Sequence, residues 1–263
     1  MAETIDLKKK AQAEFISLKK KAKESVALAG LGGQIAQVVT VLDISISMRG
    51  LFGNGTVQAI CERGLALGVQ FDDDGEIPVY PFGVQAHPAR RLVEDDFYGF
   101  IDREITSKMS LEGGTRYANP LELVIADHFP EIQRTVQQKR SGGFFGFGAS
   151  VKNIPGDFER VPVTDNPVFV QFITDGENQD EARAEEIIRA AATLPMFIQF
   201  IGIGNASFRF LKQLDDMSGR FIDNAGFCHI ENVQNTSDED FLAAMLNEFP
   251  DYIKEARRKG LVV

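Results

Sequence analysis

The sequence predicts an α/β fold, a mainly parallel, doubly wound sheet with helices on both faces, preceded by an N-terminal helix. Three observations carry this. Strand-like and helix-like patterns alternate from about residue 37 onward. The strand runs "VVTVL" and "FVQFIT" are almost continuously apolar, as strands buried on both faces must be, and do not alternate as one-sided strands do. The chain, at 263 residues, is long enough for one large α/β domain with a substantial core.

The elements follow in order. In residues 1–29, Leu7, Ala11, Phe15, Leu18, Ala22, Val26 and Ala29 recur at steps of four and three, the period of one helix face. Lys8, Lys9, Lys10, Lys19, Lys20, Lys21 and Lys23 lie among them. A basic amphipathic helix of this kind binds an anionic membrane or a partner's groove, or else packs its stripe on the body. The stripe is nearly half alanine and the chain has no Trp, so packing on the body is the expectation. "GLGGQ" at 30–34 ends the helix. This divides the chain into a helix and linker at 1–34 and a main domain at 35–263. Strands are predicted at 37–43, 77–84, 167–174, 196–203 and 227–230. Helices are predicted at 56–70, 95–107, 118–137, 179–192, 207–217 and 237–258, with Asp95/Asp96 and Ser237 as caps. Residues 137–167, rich in Gly and Pro and containing "FFGFG", form an insertion. Its phenylalanines either make a sticky patch for a partner or fold back as a hairpin.

Composition excludes several classes. A net charge of −10 argues against a nucleic-acid partner, which would need clustered Lys and Arg. The two cysteines, Cys61 and Cys228, are far apart, which rules out a disulfide framework or zinc-thiolate site and points to a reducing compartment. No apolar leader and no run of membrane-spanning length occurs, so a cytoplasmic protein is expected.

In an open α/β sheet, ligands bind beyond the carboxyl ends of the strands. The first strand ends in Asp43, Ser45 and Ser47, spaced two apart. "FVQFITDGEN" ends in Thr174, Asp175 and Gly176, with Glu177 beyond. "LEGGTRYANP" places Thr115 after two glycines and before a helix. Asp43, Ser45, Ser47, Thr115 and Asp175 offer only oxygen, the donor set of a hard divalent cation such as Mg²⁺. Two carboxylates balance the ion's charge and neutral hydroxyls fill its shell. The competing reading is that these groups merely cap adjacent helices.

"DISIS" at 43–47, the Thr of "GGT" at 113–115 and the Asp of "TDG" at 174–176 resemble, in order, the metal-ion-dependent adhesion site of von Willebrand factor A domains. Beyond the motif, "FDDDGEIPVYPFGV", "GGTRYANPLELV", "FVQFITDGEN" and "AAATLPMFIQFIGIGNASFRFLKQLDD" resemble the copine and TerF-like (tellurium-resistance) branch, over roughly residues 35–250. The resemblance implies a six-strand, mostly parallel sheet with one antiparallel edge strand. It implies Mg²⁺, with Mn²⁺ or Ca²⁺ as substitutes, ligated directly by Ser45 and Ser47. Thr115 would ligate directly or through water, and Asp43 and Asp175 would hold metal-bound waters. A partner's Asp or Glu carboxylate would fill the sixth position. Family members can also slide their last helix, here 237–258, between two packings. In the tellurium-resistance group small calcium-binding domains often accompany this one; none is present in this sequence, which suggests a stand-alone bacterial member. The insertion at 137–167 and Arg49, a cation beside the site, depart from the family pattern.

The function implied is a Mg²⁺-dependent protein-interaction module in a tellurium-resistance or stress-response system. The alternative is a metal-dependent phosphoryl-transfer or hydrolytic enzyme using the same site. Against the enzyme, no GxxxxGK[ST] loop and no nucleophile–base pair is visible, and "GLFGNG" lacks the lysine. His87, His128 and His229 read as ordinary structure, and Glu177 as a group that orients a water or a helix end. No catalytic residue is assigned.

Overall fold

The computed structural model describes residues 2–72, 74–141, 150–176 and 178–263. Helix α1 (Ala2–Leu28) is closed by a Schellman turn. Gly30, at φ 73°, takes the left-handed position, and the Leu31 N–H donates to the Val26 carbonyl at 3.0 Å. The helix packs Phe15, Leu18, Ala22 and Val26 into the core, and Phe15 stacks on Phe97 with centroids 4.4 Å apart. Part of its basic face is taken up by acids of the body: Lys19 pairs with Glu94, and Lys21 with Asp238 at 3.0 Å.

The main domain runs β1 (Gln37–Asp43), a 3₁₀ turn (Ile46–Met48), the short α2 (Arg49–Gly53), α3 (Thr56–Gly68), β2 (Glu76–Phe82) and β3 (Arg90–Val93). A 3₁₀ turn (Glu94–Asp96), a π-helix (Ile101–Thr106), α4 (Ala118–His128), β4 (Arg134–Ser141), β5 (Ser150–Phe158) and β6 (Val168–Thr174) follow. Then come α5 (Glu181–Ala191), β7 (Met196–Ile203), α6 (Arg209–Asp215), β8 (Ala225–Ile230), α7 (Asp238–Leu246) and α8 (Phe249–Lys259). The six-strand sheet has the order β3-β2-β1-β6-β7-β8, parallel throughout except for the antiparallel edge strand β3. Alternate strand residues serve opposite faces. Val38, Leu42, Phe169 and Phe197 meet α1, α3, α7 and α8, whereas Val39, Val41, Phe172 and Phe200 meet α4, α5 and α6.

Several predicted elements are corrected. The helix expected at 118–137 stops at His128, because Pro130 disfavours helical backbone at Phe129, which adopts φ −132° and ψ 59°. Residues beyond it form β4, paired antiparallel with β5 as a separate two-stranded hairpin. The insertion is thus a hairpin in its described part; the phenylalanines of "FFGFG" lie outside the described residues. The helix expected at 95–107 is a 3₁₀ turn and a π-helix, interrupted at Gly99 (φ 65°), and neither Asp95 nor Asp96 acts as a side-chain cap. The helix expected at 237–258 is two, α7 and α8. Pro250 has no N–H to continue α7 and sits instead in the first turn of α8. Ser237 does cap α7, accepting from the Asp240 N–H at 3.1 Å. The edge strand β3 falls in a stretch with no strand pattern of its own.

The strand order reverses at β1, which has β2 on one side and β6 on the other. In such sheets the crevice at this switch point, beyond the strand ends, is where ligands sit. The ends of β1 and β6 there are Asp43 and Thr174–Asp175.

Candidate metal centre

Asp43 closes β1 fully buried, an expensive place for a carboxylate unless its oxygens are partnered. They are: Oδ1 accepts the Ser45 N–H at 2.7 Å and Oδ2 accepts the Thr174 hydroxyl at 2.7 Å. The first bond is an Asx-type turn that bends the chain out of β1. Ser45 and Ser47 then face each other, their Oγ atoms 2.8 Å apart, and Ser47 Oγ donates to Asp175 Oδ1 at 2.8 Å. Asp43, Ser45, Ser47 and Asp175 therefore form one connected oxygen cluster across the β1/β6 switch point.

Thr115 is buried, and its tie to this end of the sheet runs through its backbone. Its carbonyl accepts from the Gln179 N–H at 2.9 Å, tying the "GGT" loop to the loop after β6. Three residues earlier, Glu112 forms a β-bridge with Ser45: the Ile46 N–H donates to the Glu112 carbonyl and the Glu112 N–H to the Ile44 carbonyl, both at 2.9 Å. No hydrogen bond joins Thr115 Oγ1 to the other four residues.

Burial dominates the electrostatics of the two carboxylates. Burial is the main cause that lifts the Asp43 carboxyl to about 6; the Thr174 and Ser45 hydrogen bonds oppose the rise, and the Asp175 charge adds to it. Burial also raises Asp175, against the hydrogen bond from Ser47. A cation between two such carboxylates would reverse that penalty. The spacing suits one as well. With Mg²⁺–oxygen bonds of about 2.0–2.1 Å, adjacent oxygens of an octahedron lie about 2.8–3.0 Å apart, the separation of Ser45 Oγ from Ser47 Oγ and of Ser47 Oγ from Asp175 Oδ1. Among the described residues no group of three or more His, Cys, Asp or Glu is placed to hold a metal.

Several supporting residues had no role in the sequence reading. The Tyr117 hydroxyl, buried under the site, donates to the Gly176 carbonyl at 2.6 Å and lies 3.2 Å from Thr174 Oγ1. Asp180 caps α4 from another element, accepting from the Tyr117 and Ala118 N–H groups at 2.9 and 3.1 Å. His87 Nε2 lies 2.5 Å from Glu112 Oε1, so this imidazole braces the loop that pairs with Ser45. His128 contacts Gln37 and Tyr80, and His229 Nε2 lies 2.5 Å from the Gly204 carbonyl. Glu177 lies outside the described residues. The Arg49 side chain lines a neighbouring cleft with Ile44 and Phe52.

The family model of the vWA domain found in the TerF C terminus matches residues 35–262. This chain belongs to the TerF-like von Willebrand factor A family. Among its relatives is the "Uncharacterized protein YcbR" of Bacillus subtilis (strain 168), 36% identical over 98% of this chain and 90% of that protein. Copine family protein 2 of Caenorhabditis elegans is 24% identical over 73% of this chain and 2% of that much longer protein. Among solved structures, the SpRpn10 VWA domain superposes with a TM-score of 0.47 at 11% identity, covering 81% of this chain and 95% of that one. The copine and TerF resemblance read from the sequence is thereby shown at the level of family. As a member of it, this TerF-like domain carries "DISIS", "GGT" and "TDG" at the three loops that meet above the switch point.

Proposed function

We propose that this TerF-like domain is a Mg²⁺-dependent protein-interaction module. The observation that carries the reading is the linked cluster of Ser45, Ser47 and Asp175 oxygens at octahedral-edge spacing, beside the buried Asp43. Ser45 and Ser47 would hold Mg²⁺ (or Mn²⁺ or Ca²⁺) through their hydroxyls, with Asp43, Asp175 and Thr115 completing the shell directly or through water. The bound ion supplies Lewis acidity for one further anionic ligand, a carboxylate of a partner's Asp or Glu. The protein's own residues do the rest. Thr174 and the Ser45 N–H fix the Asp43 oxygens, and the Glu112–Ser45 bridge holds the serine loop.

A binding role is favoured over catalysis because His87, the imidazole that braces this loop, is itself engaged with Glu112. Cys61 and Cys228, both lifted by burial to about 12, offer no reactive thiol for reducing tellurite. The tellurium-resistance or stress-response setting and the cytoplasmic location are proposed from the family name and from the reduced cysteines. No described helix is long and apolar enough to cross a membrane.

Titration calorimetry of Mg²⁺ into the wild type and into Ser45→Ala/Ser47→Ala tests the site. Saturable uptake by the wild type and none by the variant is expected; equal uptake would refute the metal centre. A lysate pull-down in Mg²⁺ and in EDTA, with Asp43→Ala as the blank, then tests the module. A partner list indifferent to both controls would turn the search to phosphatase substrates.

A further inference from the structure

Beside the oxygen cluster lies an open, mainly apolar cleft of about 320 Å³, lined by Ile44, Phe52, Ile105, Met109 and Leu111, with Arg49 at its rim. Ile44 and Ile105 are buried in its floor, and Phe52, Met109 and Leu111 are only partly covered by the core. One wall is the π-helix Ile101–Thr106, in which the Ser107 N–H donates to the Asp102 carbonyl at 3.1 Å, five residues back. Such helices are rare and concentrate at functional sites.

The cleft is continuous with the site. Ile44 sits between Asp43 and Ser45, and Leu111 directly precedes Glu112, the residue bridged to Ser45. The cleft and the oxygen cluster are thus built on the same two chain segments, with the Ile44 side chain turned to the Leu42 face of the strand and the Asp43 carboxylate to the other. The charge pattern is directional. The chain carries −10 overall, Asp43 and Asp175 of the site included, yet the exposed Arg49 side chain has no hydrogen-bond or ion-pair partner among the described residues. A cation beside a cation site would be a liability unless the ligand shared between them is negative. Asp102, exposed on the π-helix, would repel a second acid on that side.

We infer that the partner of this site is an extended acidic-apolar segment of another protein: one Asp or Glu at the metal, and a nearby Leu, Ile, Met or Phe that enters the cleft, with Arg49 attracting the acid. The inference rests on the metal-dependent reading and adds to it a class of ligand. The cleft supplies affinity through apolar burial, and the metal supplies the requirement for an acid.

The test selects a phage-displayed random peptide library on the immobilised full chain in Mg²⁺, elutes with EDTA, and measures synthetic copies of the enriched peptides by fluorescence anisotropy. Enriched peptides should pair an acid with an apolar residue at one fixed spacing. Ser110→Trp, an exposed position that would fill the cleft, and Arg49→Glu should each weaken binding about tenfold or more, as should Ser in place of the peptide's apolar residue. Circular dichroism checks both folds, and the exposed Arg49→Glu carries the test if Ser110→Trp fails to fold. Acidic peptides that need Mg²⁺ but ignore the apolar residue and both cleft variants would overturn the cleft and leave the metal centre standing. Peptides bound equally in EDTA, or by Ser45→Ala/Ser47→Ala, would overturn both. A selection that enriches nothing counts against the cleft, while calorimetry decides the metal centre separately.

Discussion

The Thr174 hydroxyl donates to Asp43 Oδ2 at 2.7 Å, joining the last residue of β6 to the last residue of β1 across the switch point of the sheet. Both residues are fully buried, so neither oxygen is exposed to bulk solvent. Thr174→Val keeps the shape and removes the donor, leaving a carboxylate oxygen of Asp43 unsatisfied. The expected cost is about 2 kcal/mol, with Thr174→Ser recovering most of it. Urea unfolding of the three proteins measures this; a loss under about 0.5 kcal/mol would mean that the bond is dispensable.

Gly64 tests the buried polar network beneath the site. Helix propensity alone makes Gly64→Ala stabilising by about 1 kcal/mol, since Gly64 lies inside α3. A Cβ there would stand 2.5 Å from Gln171 Oε1, the atom that accepts the Thr40 hydroxyl in the core at 3.1 Å. Displacing Gln171 breaks that bond where no water replaces it. The sign therefore reverses, to a net loss of about 1–2 kcal/mol read as a lower melting midpoint. A raised midpoint would show that Gln171 can move freely.

Much of this architecture was legible because burial leaves a strong linear trace. β1, β6 and β7 read as strands from continuous apolar runs, and the oxygen cluster from the two-residue spacing of Asp43, Ser45 and Ser47 at a strand end. The misread boundaries had a local signal that periodicity overrode: Pro130 after α4 and Pro250 between α7 and α8 both stop helices. β3, with the sequence "RRLV", was illegible because an edge strand need bury only one side, and Leu92 alone is buried. The support of the site was hidden for a different reason. Tyr117, Asp180, His87 and Glu112 act on partners that only the sheet brings near, such as Asp180 on the first turn of α4, 62 residues away at Ala118.

Glu112 makes that support measurable. Its backbone pairs with Ile44 and Ile46, while its carboxylate holds His87 and accepts the Gln85 N–H at 3.0 Å. Glu112→Ala should therefore loosen the loop carrying Ser45 without removing a proposed ligand. Mg²⁺ affinity is expected to fall about tenfold, the usual effect of losing a group that orients a ligand, with global stability little changed. Calorimetry and thermal melts on the same samples separate the two. Unchanged affinity would assign the pair to loop structure alone.

The pH dependence of stability has a marked contributor far from the metal centre. Burial first, then the neighbouring Asp215, lifts the Glu248 carboxyl to about 7, and Asp215 is also raised by burial. Glu248 is wedged against Gly226, where a Cβ would meet its carboxyl at 2.8 Å, so it cannot swing away from Asp215 on that side. The folded protein thus holds the proton over a range in which the unfolded chain, at an ordinary glutamate value, has released it. Stability from this group is complete below the unfolded value and is lost as pH rises through the folded value, roughly between pH 4.5 and 7. Glu248→Gln mimics the protonated acid, keeping a donor towards Asp215 without a charge. It should match the wild type near pH 4.5 and exceed it near pH 8 by about 1–2 kcal/mol, after discounting for solvent screening of a half-buried group. Urea unfolding across that range checks the sign. A variant curve parallel to that of the wild type would place the titration elsewhere, in Asp43 or Asp175, whose shifts run in the same direction.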